Sequence, residues 1–147
     1  MKFTCTAEIN RSLPEVVELY SDTKHVEYWL KGFVSKEVIT GNMGQPGSKA
    51  KITMNFRNKT MELIETVQSN HLPTQITALY EHKHMINTMS SRFEPVAADK
   101  TLLAVDVHYT KFIGVMPKLM SVLVPGMFRK QTQKMIDDFK AFAESGS

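Results

Sequence analysis

The residues best suited to moving protons lie in the middle of the chain. Glu65, Tyr80, Asn87 and Tyr109 each share the parity of apolar neighbours within an alternating segment. Alternate side chains of a strand point to opposite faces, so a carboxylate, an amide and two phenols are expected on one side of one sheet, with Ser91 beside them. Such a set has the chemistry for general acid–base work. Burying these groups without partners costs about 1–3 kcal/mol each, and more for a charge. They therefore either satisfy one another or line a wet or ligand-filled space. Glu65 is the sharpest case, because burial disfavours its charged form and would suit it to proton transfer. A register slip of one residue would instead place it in solvent.

Other reactive types are less well placed. His82-Lys83-His84, with Glu81 or His108 nearby, is the closest approach to a metal pair. The segment reads as a hairpin turn with Lys83 at its tip, so no metal site is expected; His25 and His71 read as surface residues. Cys5 stands at a strand start with no histidine near it in sequence, and reads as a small buried or edge residue. Being alone, it cannot form an internal disulfide, which favours a reducing compartment. The glycine-rich stretch 41–47 lacks the Lys-Ser/Thr of a phosphate loop and precedes a strand, so it reads as a turn. Nothing here implies a cofactor.

The elements that must position these groups follow from periodicity. Period-two segments occupy 2–10, 32–40, 48–56, 60–69, 74–81, 85–94 and 101–111. Short breaks between them predict hairpins and an antiparallel meander. Parity gives a covered face with Ala50, Ile52, Met54 and Phe56, then Met61, Leu63 and Val67, and an opposite face with Lys49, Lys51, Thr53 and Asn55. Ser12-Leu13-Pro14-Glu15 reads as a capping box in which the Ser12 hydroxyl accepts from the Glu15 amide and the Glu15 carboxylate reaches back. A second short helix is expected over 23–29, capped by Ser21 or Asp22. From Gly126 onward, positions 128, 132, 135, 139 and 142 mark one face of a helix of about 17 residues.

Composition bounds the classes. The chain has 147 residues, 42% hydrophobic and 22% charged, the proportions of an ordinary globular protein. A net charge of +3 gives no case for nucleic acid. The longest apolar stretch, 112–124, is interrupted by Gly114, Pro117, Lys118 and Ser121 and is too short to span a bilayer, so no stable membrane insertion is expected. The opening residues read as a strand rather than a leader, and a cytoplasmic location is expected. Ten methionines are unusual for this length. Methionine is over-used where a surface must adapt to a partner.

The order of elements resembles a known family. The opening strand followed by Arg11-Ser12-Leu13-Pro14-Glu15-Val16-Val17, then Tyr28-Trp29-Leu30-Lys31-Gly32, Gly44-Gln45-Pro46-Gly47-Ser48, Glu65-Thr66-Val67 and the closing amphipathic helix are similar to the START-like helix-grip domains of the SRPBCC superfamily, in its polyketide cyclase/dehydratase-like branch. The resemblance spans residues 1–147 as one domain. It implies an α+β fold: a curved seven-stranded antiparallel sheet gripping a long C-terminal helix, two short helices after the first strand, and a cavity between sheet and helix. It also implies binding of hydrophobic small molecules such as lipids, sterols or polyketides, with cyclisation or dehydration in some members. No catalytic motif carries over.

Three functions are open. The first is a binding module for an apolar or amphipathic small molecule. The second is a cyclase/dehydratase-type enzyme with Glu65 as its catalytic carboxylate. The third is a non-enzymatic interaction protein. The expected ligand-binding residues are Trp29, Met54, Phe56, Glu65, Tyr80, Asn87, Met89, Tyr109, Met116, Met120 and Phe128. Lys118, Arg129, Lys130 and Lys134 read as a solvated face because acids share the helix. An exposed edge strand would allow a homodimer.

Overall fold

Alternation of apolar and polar side chains builds the sheet, and short turns fold it back on itself. The computed structural model describes residues 1–146. Its strands are β1 (Lys2–Ile9), β2 (Phe33–Thr40), β3 (Lys49–Phe56), β4 (Lys59–His71), β5 (Gln75–His82), β6 (Met85–Ala97) and β7 (Lys100–Phe112). Its helices are α1 (Leu13–Ser21), α2 (Thr23–Val26), α3 (Val115–Leu123) and α4 (Gly126–Ser145). The strands form one curved antiparallel sheet in the order β1-β7-β6-β5-β4-β3-β2. β2 through β7 are a meander, while β1 pairs outside β7 from Lys2↔His108 to Ile9↔Thr101.

Turn chemistry fixes the register of the hairpin that carries Glu65. Arg57 and Asn58 both hold positive φ, 48° and 65°. Two such residues make the tight turn whose twist matches a β-hairpin. Gly32 has φ 88°, and a β-carbon there would sit 2.5 Å from the Asn55 carbonyl oxygen. Its own carbonyl accepts the Asn55 N–H at 2.8 Å, tying the entry of β2 to the end of β3.

The inner face of β1 is Cys5, Ala7 and Ile9, all buried. Against it α4 lays Phe128, Thr132, Ile136, Phe139 and Ala143. Leu103, Val105 and Val107 of β7, Phe93 of β6 and Val16 of α1 complete this core. Met135 and Phe142, expected on the buried stripe of α4, lie at its half-buried margin.

Three local expectations need correction. The Ser12 hydroxyl donates to the Glu15 carboxylate at 2.7 Å rather than accepting from the backbone. α2 is a single turn ending at Val26; its cap is Asp22, which accepts from the Lys24 N–H at 3.1 Å. α4 runs 20 residues, not about 17. A separate helix, α3, precedes it, and Pro117 falls in its first turn, a helix start where a missing N–H costs nothing.

Candidate ligand site on the inner face of the sheet

Register lines the polar residues up. Ala50 pairs with Glu65, Glu65 with Tyr80, Tyr80 with Asn87, and Asn87 with Tyr109, so one row crosses five strands. Glu65 is buried at 9% exposure, on the covered face. Each of its oxygens has a partner: Lys36 Nζ lies 2.8 Å from Oε1, and the Tyr80 hydroxyl donates to Oε2 at 2.7 Å. Lys36 is opposite Ile52 on β3, two residues along from Ala50. The small side chain of Ala50 beside Glu65 leaves room for the lysine chain to cross β3.

A second polar pair joins α1 to β6, where the Tyr20 hydroxyl and Ser91 Oγ are 2.8 Å apart. The Tyr20 ring stacks on Trp29 at 5.3 Å and meets Phe93 and Phe139 edge-on. Desolvation, then the Glu65 charge and its hydrogen bond, push the Tyr80 phenol well above its ordinary value. Desolvation also raises Tyr20, against the opposing effect of the Ser91 hydrogen bond, and it raises Tyr109. These phenols therefore stay neutral donors at physiological pH.

α4 lies along β1 and α1 rather than across β4 and β5. Tyr20, Tyr80, Asn87, Met89 and Tyr109 are only half-buried. The indole Nε1 of Trp29 is a buried donor with no acceptor in the protein. At the other end of the row, Tyr109, Phe112 and Phe128 form an aromatic cluster with centroids 5.0–5.5 Å apart. Two open depressions lie elsewhere. One, of about 420 Å³, sits between Tyr28, Trp29 and Phe142, and one, of about 740 Å³, between Met120, Leu123, Met127 and Lys130. Neither is lined by Glu65.

The expected site residues thus separate. Glu65, Tyr80, Asn87, Met89 and Tyr109 share the inner face, with buried Met54, Trp29 and Phe128 around them. Phe56 does not reach the interior: it is 45% exposed at the last residue of β3, where the hairpin turns outward. Met116 is 63% exposed on α3, and Met120 belongs to the depression between α3 and α4. Lys36 and Tyr20 were not expected at the site. Parity along β2 would have found Lys36, but bulges at Phe33/Ser35 and Val38/Thr40 break it.

The other reactive types fall outside this site. Cys5 is buried, and desolvation raises its thiol. His82 closes β5 and its ring faces His84 at 5.4 Å across the turn. Burial, then the neighbouring His84 and Lys83, lowers the His82 pKa. Among the described residues, Glu18, Asp22 and His25 bring possible metal-ligand atoms within 4.8 Å of one another. There the Asp22 carboxylate is already engaged as the cap of α2.

This architecture is a helix-grip fold, as the resemblance to START-like domains implies. It is shared with a protein from Thermus thermophilus, at 14% identity and TM-score 0.79 over 100% of this chain and 99% of that one. Zhui aromatase/cyclase from a Streptomyces species matches at 10% identity and TM-score 0.79, over 98% and 93% of the two chains. A START superfamily protein from Mycobacterium smegmatis matches at 17% identity and TM-score 0.74, over 99% of each. At such identities the likeness is one of fold. No family model and no curated protein matches the sequence.

Proposed function

We propose that the protein binds a hydrophobic or amphipathic small molecule, lipid-like or polyketide-like, between the sheet and α4. The observation that carries this reading is the buried Lys36–Glu65–Tyr80 group on the inner face of β2, β4 and β5, away from β1, where most of the α4 contacts fall. Binding sites for small molecules are mostly apolar with a few placed polar groups. Here Met54, Met89, Tyr109 and Phe128 offer the apolar wall, and the charged group offers an anchor for a polar end. The aromatase/cyclase among the structural neighbours is consistent with such a ligand class.

A second reading uses the same atoms. The Tyr80 hydroxyl on Glu65 forms a path along which a proton can pass, as an acid–base enzyme of the cyclase/dehydratase kind requires. Two substitutions separate the readings. In an enzyme, Glu65→Gln abolishes turnover while ligand affinity stays within a few fold. In a carrier there is no turnover to lose: Glu65→Gln weakens the polar anchor and lowers affinity, and Met89→Lys removes it.

Native mass spectrometry of gently purified protein is the direct test. The expected result is a discrete added mass that is lost on denaturation and absent from the Met89→Lys variant. Protein that carries no added mass, and that takes up no fluorescent fatty-acid probe, would sink the reading.

A further inference from the structure

The segment just before α4 has its amphipathic pattern turned inside out. Val115, Met116, Leu119, Val122 and Leu123 of α3 are all exposed, Val115 at 82% and Val122 at 76%. At 3.6 residues per turn they fall within one arc of about 120°. The half-buried positions of the helix are Pro117, Met120 and Ser121. Exposed Ile113 and Val124 extend the apolar surface at either end. A contiguous apolar surface of this kind on a folded chain marks an interaction site.

Its charge surroundings are one-sided. Residues 107–136 contain no Asp or Glu and five Lys or Arg. Lys134 is paired with Asp138 at 2.6 Å, but Lys111, Lys118, Arg129 and Lys130 form no ion pair among the described residues. All four residues expected on a solvated face are exposed, but of them Lys134 alone has an acidic partner. Lys118 borders the apolar arc, and Lys130 lines the depression between α3 and α4. The Ile113 N–H donates to the His84 carbonyl at 2.7 Å, which brings the hairpin bearing Lys83 against the start of α3.

We propose that α3 and its flanks are a docking surface for an anionic phospholipid bilayer. An apolar stripe that enters the acyl boundary, rimmed by lysines that meet headgroup phosphates, is the chemistry of an interfacial helix. No described helix is long and apolar enough to cross a membrane, so α3 would lie in the interface. A second copy of the chain fits less well. A two-fold contact would bring this lysine-rimmed surface against a copy of itself with no acid in residues 107–136 to offset the charge, and like charges across an interface are repelled. This inference concerns the outer surface and does not rest on what the interior binds.

The test is co-sedimentation of the full chain with vesicles of phosphatidylglycerol and phosphatidylcholine in equal parts, set beside phosphatidylcholine alone. Binding is expected only to the anionic vesicles. It should fall about fivefold in Lys118→Ala and about tenfold or more in Val122→Glu. Salt at about 1 M, where screening shortens to about 3 Å, should abolish it. Both substituted positions are exposed, so thermal melts should match the parent; Lys49→Glu on β3 should leave binding unchanged. Equal binding to both vesicles, binding that survives Val122→Glu, or no binding at all overturns the proposal. A concentration-dependent dimer that Val122→Glu dissolves, without vesicle binding, assigns the surface to self-association instead.

Discussion

Glu65 is held inside the sheet because both of its oxygens are engaged. The pair it forms with Lys36 is mostly shielded from water, with side-chain exposures of 11% and 17%. Removing one partner of such a pair strands the other, which costs about 3–5 kcal/mol, whereas replacing both with apolar groups is often neutral. Lys36→Met should therefore lower stability by about that amount. Lys36→Met combined with Glu65→Leu should recover most of it, read as urea midpoints. A single variant as stable as the parent would show that water reaches the carboxylate freely. The energetic asymmetry also says something about purpose. A buried ion pair contributes little to stability that hydrophobic packing would not, so its presence on an otherwise apolar wall agrees with recognition of a polar group.

The strands carry the argument from residue to element. Gly32 ties β2 to β3 and the Arg57-Asn58 turn sets β3 against β4, the two registers that let Lys36 reach Glu65. Gly32→Ala meets both a left-handed backbone and the Asn55 carbonyl 2.5 Å away. Strain of this kind costs about 1–3 kcal/mol. The substitution should lower the urea midpoint accordingly, and an unchanged midpoint would mean that the turn has another conformation open to it. All seven strands and much of the inner face of β4 to β7 were legible in the sequence, because apolar and polar side chains alternate along most of their length and one face is dry. What was not legible has local causes. The bulges of β2 hid Lys36. Phe56 follows the parity of β3 but sits where the strand ends, so parity no longer decides exposure. Met116 of α3 was misplaced because apolar residues on a helix are normally read as facing inward, which here they do not.

At the scale of the whole molecule, Tyr20, Tyr80 and Tyr109 bind α1, β5 and β7 around one interior. Burial raises all three phenols above the ordinary tyrosine value. The sign follows from linkage: a group held protonated by folding contributes stability that is complete below its unfolded pKa of about 10 and is lost as pH rises through the folded value. The melting temperature should thus fall as pH is raised from about 10 upward, with a steeper fall than in Tyr80→Phe. Identical slopes in the two proteins would place Tyr80 in water.

The pairing of β1 with β7, sealed by α4, ties the first residues of the chain to its last. β1 is synthesised about ninety residues before β7, its hydrogen-bonding neighbour, and more than a hundred before α4, the helix that covers Cys5, Ala7 and Ile9. Until then the meander has a bare edge and the core a missing wall. The fold accordingly closes only once α4 has docked, and a nascent chain stalled before Gly126 would leave the apolar face of β1 open to chaperones and proteases.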